Sequence, residues 1–320
     1  MEKITIFDTS IATLNVGDNI IVEAAKNELN KIFDYRSLLF SLPTHEKISS
    51  YGLRLASECK YKFILGTNLL SSKYRVLRYN QWNIKFFQFF QLKDVVLMGV
   101  GWSNYGKKPN FFAKLMYKKV LSKNHIHSVR DNYTLEKLKA IGIKNVINTG
   151  CPTMWNLTKK HCSKIPTRKS ENVVTTLTDY RKSFDSDKTL LKILKENYHK
   201  VYFWIQGSGD LDYVKSLGVD VEYIGPSLHK YDELLLSKID LDYVGTRLHA
   251  GIRAIQKLRR TIIIGVDNRA IEKKRDFNLM VIERENINEL TNLIKSEFVT
   301  DIRINHSEIN IWKQQFLENE

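Results

Sequence analysis

The stretch 242–251, DYVGTRLHAG, has the residue types and spacing that best suit chemistry. A strand-like run turns there through a glycine into a helix-like run, which predicts Thr246 as the N-cap and places Arg247 and His249 in the first helical turn. Amides at a helix N-terminus favour an anion, an arginine binds carboxylate or phosphate through two hydrogen bonds, and a histidine transfers a proton near neutral pH. A lone histidine is more often structural, but this combination favours a functional site.

A second polar turn, NVGDN at residues 15–19, lies directly ahead of a helical run at 20–32. Gly17 permits a tight turn, and Asp18 or Asn19 is suited to cap the helix, which leaves free amides for an anion. Capping alone explains the motif equally well, so the turn is a candidate and not yet a site.

Two further turns follow predicted strands. SVRD at 128–131 places Arg130 at the end of a strand, with Asp131 as the N-cap of the next helix, and an ion pair between these two residues is the structural alternative. GSGD at 207–210 is a glycine turn that can approach a phosphate closely. By contrast, GVGWSN at 99–104 lacks the last glycine of a dinucleotide-binding motif, and no GxxxxGK[ST] occurs, which excludes a Rossmann dehydrogenase and a P-loop NTPase.

Short β-branched runs alternate with helical stretches along almost the whole chain, a pattern typical of parallel βαβ units. The predicted strands are 3–7, 63–66, 95–100, 125–129 and 146–149, then 173–177, 201–205, 219–224, 241–244, 261–266 and 279–282. A lysine-rich stretch between the two sets predicts a linker at 161–171. We therefore expect an α/β protein with two Rossmann-like domains, 1–160 and 172–320, whose parallel sheets face a shared cleft.

The chain has 50 Lys and Arg against 35 Asp and Glu, a formal charge of +15, which favours anionic substrates or partners. Residues 73–123 contain eleven basic residues and a single acid, Asp94, interleaved with aromatics. This basic segment suits an anionic membrane interface, but a core of aromatics under a solvated lysine face fits it equally well. The three cysteines form no CxxC pair, and no clustered carboxylates or HExxH motif indicates a metal.

The N-terminus, MEKITIFDTS, does not resemble a signal peptide, and no run of apolar residues is long enough to span a bilayer. We therefore expect a cytoplasmic protein, with peripheral contact at the inner face of the membrane as an open alternative.

Taken in order, NVGDNI, SVRDNYT, TGCP, GTRLHAGIRAIQ and IIIGVDNRAIEKKRDF resemble the polysaccharide pyruvyl transferase family over nearly the whole chain. The resemblance implies a GT-B-like fold, phosphoenolpyruvate as donor, a sugar hydroxyl pair as acceptor and a cyclic ketal as product. It implies that Arg130 and Arg247 hold the donor's phosphate and carboxylate, that His249 is the acid and that Asp18 is the acceptor-side base. The binding residues it suggests in addition are Asn15, Gly17, Gly207, Ser208, Leu248 and Arg269. The chain departs from the family after Asp267, where many members have a lysine. Its Arg269 keeps the charge of that lysine but not its geometry.

Two other functions remain open at this point. A GT-B glycosyltransferase that uses a nucleotide sugar shares the expected architecture, and stabilisation by UDP rather than phosphoenolpyruvate would indicate it. A non-catalytic basic module would bind membrane or nucleic acid through residues 73–123, although no nucleic-acid-binding motif accompanies the charge. If the chain is a pyruvyl transferase, we expect phosphoenolpyruvate and a sugar or lipid-linked oligosaccharide as its ligands. We then expect no cofactor, no metal and no nucleic acid.

Overall fold

The structure is a computed structural model of the 320-residue chain, and it describes residues 1–76, 78–106 and 108–317. Contacts divide the chain into two compact units. The first unit comprises Met1–Thr13, Ile21–Trp155 and Asn305–Glu320, and the second comprises Leu14–Ile20 and Asn156–Ile304. This division differs from the expected domains, since the segment Leu14–Ile20 groups with the second unit and Asn305–Glu320 with the first. The stretch predicted as a linker, 161–171, lies inside the second unit.

The first unit is built on parallel strands. They are β1 (Glu2–Asp8), β2 (Ser37–Pro43), β3 (Tyr61–Leu65), β4 (Val95–Met98), β5 (His127–Val129) and β6 (Val146–Asn148). The first four form a sheet of order β2-β1-β3-β4, and β5 pairs with β6. Its helices are α1 (Gly17–Phe33), of which the first four residues group with the second unit, α2 (Ser50–Ser57), α3 (Phe111–Val120) and α4 (Asn132–Lys139).

The helix α12 (His306–Gln314) and the turn that follows it pack in the first unit through aromatic side chains. The ring centroids of Phe316 and Phe63 are 5.1 Å apart, and those of Trp312 and Phe63 are 5.9 Å apart. Trp312 also lies 5.7 Å from Trp155. Because such large buried rings dominate core energetics, these contacts explain why the segment 305–320 belongs to the first unit.

The second unit contains one six-stranded parallel sheet. Its strands are β7 (Asn172–Thr175), β8 (Val201–Trp204), β9 (Glu222–Ile224), β10 (Leu241–Gly245), β11 (Thr261–Gly265) and β12 (Val281–Glu283). Its helices are α5 (Lys159–Cys162), α6 (Phe184–Asn197), α7 (Asp210–Ser216), α8 (Leu228–Leu236), α9 (Leu248–Gln256), α10 (Asn268–Phe277) and α11 (Leu290–Lys295).

The strand order of this sheet, β12-β11-β10-β7-β8-β9, is the doubly wound order of a Rossmann domain. The chain runs from β7 outward through β8 to β9 and then returns to β10 on the other side of β7. The order therefore reverses between β7 and β10, and ligands of open α/β sheets bind outside the carboxyl ends of the strands at such a reversal.

Most predicted strands are present, within a few residues of their expected ends. The strand absent from the prediction is β2, an edge strand. Its sequence, SLLFSLP, ends in a proline, which edge strands tolerate. Within the described ranges, no helix is both long and apolar enough to cross a membrane.

Candidate active site

Arg247 lies directly after β10, beside the reversal in strand order, and only 3% of the residue is exposed. Its Nε donates to the carbonyl of Leu177 at 2.7 Å, and its Nη2 donates to Asp179 at 2.9 Å and to Asp210. The Tyr243 hydroxyl donates to the Arg247 carbonyl at 2.8 Å. Three acceptors thus fix the guanidinium in one orientation.

One nitrogen of this guanidinium, Nη1, is buried and has no hydrogen-bond partner among the described residues. A buried polar atom without a partner is costly, and in a native structure it calls for an explanation such as a ligand. Nη1 is therefore the atom through which Arg247 can bind something that the chain does not itself supply.

The prediction that Thr246 is the N-cap of α9 is wrong. The helix begins at Leu248 with Arg247 in the N-cap position, where its backbone is extended. Thr246 instead holds β10 against the end of β7, because its hydroxyl lies 2.8 Å from that of Thr178 and its amide donates to the Thr176 carbonyl at 2.9 Å. Arg247 therefore lies just before the helix, not inside its first turn.

Asp210 is the most deeply buried acid of this cluster. Its carboxylate accepts hydrogen bonds from the amides of Gln206 at 3.0 Å and Gly207 at 2.7 Å, in addition to that from Arg247. Burial raises the pKa of Asp210, and the charge of Arg247 offsets only part of that effect. The same carboxylate therefore shapes the glycine turn and positions the arginine.

Gly207 is required here by close contact, since a Cβ atom at this position would lie 2.5 Å from Nη2 of Arg247. No side chain can be added without displacing the guanidinium or the turn. The neighbouring Ser208 is exposed and donates its amide to the Leu14 carbonyl at 3.1 Å.

The NVGD turn packs against this glycine turn inside the second unit. The amide of Val16 donates to the Gln206 carbonyl at 2.9 Å, and the Gln206 side chain donates to Oδ1 of Asn15 at 2.7 Å. A Cβ on Gly17 would lie 2.3 Å from the Gln206 amide nitrogen, so this glycine is needed for close packing. Asn15 also lies 3.5 Å from a carboxylate oxygen of Asp18, which is half-buried.

Tyr180 links Arg247 to Arg269. Its ring centroid lies 5.1 Å from the Arg247 guanidinium carbon, and its hydroxyl accepts from Arg269 at 2.9 Å. Asp267 caps α10, and both of its carboxylate oxygens accept from the guanidinium of Arg269. Burial by itself lowers the pKa of Arg269, but Asp267 and Tyr180 raise it above its usual range, so the group is charged.

Leu248 and His249 occupy the first two positions of α9, and both are buried. The amides of a first helical turn have no partner within the helix, so this end of α9 offers donors for an anion. His249 keeps about 8% of its surface exposed, which suits a residue that exchanges a proton with a bound molecule.

Arg130 lies at the end of β5 in the first unit and is also buried. Its Nε donates to Asp131 at 2.9 Å, and a Cβ on Gly101 would lie 2.0 Å from that nitrogen. Asp131 caps α4 through the Thr134 amide, as predicted. Burial alone would raise the pKa of Asp131, but the charge of Arg130 and the bonds from Thr134 bring it below its usual value. The ion pair that was the structural alternative for Arg130 is therefore present.

Contacts connect Asn15, Gly17, Asp18, Gly207, Ser208, Arg247 and Arg269 into one cluster at the carboxyl ends of four neighbouring strands. Sequence reasoning missed Asp179, Tyr180 and Asp210, which hold this cluster together. The sequence TLTDYR was the signal for Asp179 and Tyr180, because it is a polar turn directly after β7, a strand at the centre of the sheet. Within the described residues, no group of three or more His, Cys, Asp or Glu side chains could hold a metal ion.

A comparison with models of protein families shows which family the sequence matches. The model for polysaccharide pyruvyl transferase matches residues 15–268, which include every residue of this cluster except Arg269. The chain belongs to the polysaccharide pyruvyl transferase family. As a pyruvyl transferase it is an enzyme that transfers a group, and the motifs NVGD, SVRD and GTRLHA lie inside the matched range. No curated protein matches its sequence.

Two solved structures similar to this pyruvyl transferase were determined with UDP. S. aureus MnaA, determined with UDP, is 11% identical with a TM-score of 0.55, over 100% of this chain and 98% of that chain. HepE from Anabaena, in complex with UDP and glucose, is 13% identical with a TM-score of 0.50, over 92% and 89%. At such identities the likeness shows the fold alone, and it confirms the predicted GT-B-like α/β class.

Proposed function

We propose that this pyruvyl transferase takes its pyruvyl group from phosphoenolpyruvate and attaches it as a cyclic ketal to two hydroxyls of a sugar in a cell-surface polysaccharide. The observation that carries the proposal is the unpartnered, buried Nη1 of Arg247 at the reversal in strand order. A carboxylate or phosphate oxygen is the strongest acceptor for such a donor.

The contribution of Arg247 to donor binding depends on how much of its charge other residues already balance. Asp179 and Asp210 already balance this guanidinium, so its contribution to an anion is a directed hydrogen bond more than net charge. The amides at the start of α9 supply further attraction in the proposal. Arg269 is a candidate binding residue from the sequence, and its charge is likewise balanced, by Asp267. Arg130 stays the second donor-binding arginine predicted from the family resemblance.

In the proposed reaction, His249 protonates the methylene carbon of phosphoenolpyruvate, and the central carbon becomes electrophilic. One sugar hydroxyl adds to that carbon and loses its proton to a base, for which Asp18 is the candidate. The second hydroxyl then bonds to the same carbon and gives its proton back to His249, while the C–O bond to phosphate breaks and phosphate leaves with that bond's electron pair. Asp18 passes its proton to the released phosphate, and the ketal is closed. The balance is one enol phosphate plus one diol giving one ketal plus phosphate, with no cofactor consumed.

The acceptor side of the proposal is a sugar carried on a lipid or an oligosaccharide. A protein with that substrate works in the cytoplasm, with peripheral contact at the inner face of the membrane. Nucleic acid has no role in this function.

The test is release of phosphate from phosphoenolpyruvate with a panel of nitrophenyl and lipid-linked sugars. The wild type should release phosphate only when an acceptor is present, and His249→Gln should lose turnover by about 100-fold or more, as expected for a lost general acid, while still binding the donor. His229→Gln is the matched control, since His229 is an exposed histidine on α8 and should retain full activity. Unchanged turnover in His249→Gln would remove the acid from the mechanism, and stabilisation by UDP but not by phosphoenolpyruvate would favour a glycosyltransferase.

A further inference from the structure

The structure separates the aromatic side chains of residues 73–123 into two groups. One group is buried in the core of the first unit and contains Tyr74, Trp82 and Phe89. The other group is exposed, with Phe87 59%, Phe90 53% and Phe111 72% accessible to solvent. Leu77 and Lys107, which belong to the same segment, lie outside the described residues. The core and surface interpretations of this segment thus apply to different residues.

We call Phe86, Phe87, Phe90, Phe111 and Phe112 the aromatic patch. Ring contacts connect four of them, and Phe87 lies three residues before Phe90 in the 3-10 helix Phe86–Phe90, so these two share one face of it. Half-buried Phe86 lies at its centre, with its ring centroid 6.1 Å from that of Phe90 and 5.9 Å from that of Phe112. The rings of Phe111 and Phe112 are 5.6 Å apart. Soluble surfaces rarely leave large apolar groups side by side, and such a patch indicates a binding surface for an apolar or amphipathic partner.

Lysines surround these rings. Nζ of Lys85 lies 5.6 Å from the ring centroid of Phe87. Lys114 and Lys118 lie three and seven residues after Phe111 in α3, so they share its helix face. Asp94 is the single acidic residue in the sequence from 73 to 123. Apart from Asp94, the Lys, Arg, Asp and Glu residues of this segment are therefore all positive.

We propose that the aromatic patch docks the protein on the surface of an anionic lipid bilayer. Phenylalanine rings enter the boundary between headgroups and acyl chains, and the lysines remain among anionic headgroups. A second copy of the chain is a poorer partner, because a symmetric contact would bring lysines against lysines. The proposal does not depend on the donor or acceptor of the transfer reaction.

The test is cosedimentation of the full chain with vesicles of phosphatidylcholine alone and of phosphatidylcholine mixed with phosphatidylglycerol. The wild type should bind the mixed vesicles much more strongly, and added salt should weaken that binding. The double variant Phe87→Ala/Phe111→Ala should bind the mixed vesicles at least about tenfold more weakly, since each ring loses its transfer out of water. Both rings are mostly exposed, so their removal should leave the melting temperature unchanged.

The chain contains a matched control in Phe184, which is 49% exposed and also has a lysine, Lys188, 5.6 Å from its ring. Phe184→Ala should bind vesicles as the wild type does. Lys114→Glu/Lys118→Glu should abolish the preference for phosphatidylglycerol, whereas Lys192→Glu, an exposed lysine on α6, should keep it. Equal binding of the double phenylalanine variant and the Phe184 variant would overturn the proposal. A concentration-dependent dimer that disappears in the double variant would assign the patch to a second copy instead.

Discussion

Replacing Arg247 by methionine tests whether the cluster of the second unit rests on its buried charges. Methionine keeps most of the side-chain volume but leaves Asp210, which is wholly buried, without a cation. Breaking a buried ion pair by removing one partner costs about 3–5 kcal/mol. Asp179 is partly exposed and recovers some hydration, so we expect a loss near 4 kcal/mol, most of it from Asp210.

The size of this loss should depend on pH in a defined direction. Burial already raises the pKa of Asp210 with Arg247 present, and removing the arginine raises it further. A carboxyl with a raised folded-state pKa contributes stability that is fully present below its unfolded pKa of about 3.9 and is lost as pH rises through the folded value. Arg247→Met should therefore be less destabilised at about pH 5 than at about pH 8.

Urea unfolding followed by tryptophan fluorescence measures this effect locally, because Trp204 is the single tryptophan of the second unit and precedes the Gln206 turn. The matched control is Arg168→Met, which removes an exposed arginine paired with exposed Glu297 and should cost about 0–1 kcal/mol. Adding Asp210→Asn to Arg247→Met should restore about 2 kcal/mol, since the pair is coupled. A loss within 1 kcal/mol of the control, or one that does not vary with pH, would refute the reasoning.

Three further predictions concern single positions. Gly207→Ala should destabilise the protein by about 1–3 kcal/mol in urea, because its Cβ meets Arg247 at 2.5 Å, whereas Gly225→Ala, with no atom closer than 4.0 Å, should change stability little. Asp131→Asn should cost about 2–3 kcal/mol at neutral pH, because it breaks the pair with Arg130. Its difference from wild type should shrink as pH falls below the unfolded pKa of about 3.9 and vanish below the lowered folded-state pKa of Asp131; a difference that persists in stronger acid would contradict this. Phe316→Ala should cost about 3–5 kcal/mol in thermal or urea unfolding, since its ring packs on five aromatic neighbours, and a loss below 1 kcal/mol would show that this ring adds little to the core.

The sequence was sufficient to predict the alternation of strands and helices, because β-branched runs and helix caps are local signals. It was also sufficient to predict the glycine turns and Arg247, which follow strands directly. The assignments of Leu14–Ile20 and of α12 to their units could not be read from it, since they depend on backbone bonds to Gln206 and on rings such as Phe63 that are distant in the chain.

The partners of Arg247 escaped prediction for the same reason. Asp179 and Asp210 lie 68 and 37 residues away in sequence, and only the pairing of β7 with β8 and β10 brings their turns together. Thr246 shows the opposite case, in which a favourable local cap signal lost to hydrogen bonds with the neighbouring strand.

The three acceptors on Arg247 also determine when the cost of ordering this side chain arises. A free arginine carries about 2 kcal/mol of rotamer entropy, which a flexible surface arginine loses only when it closes on its ligand. Here Leu177, Asp179 and Asp210 impose that loss during folding. A molecule that reaches Nη1 therefore meets a preorganised donor. Its binding free energy does not include the loss of rotamer entropy of Arg247, because that loss has already occurred on folding.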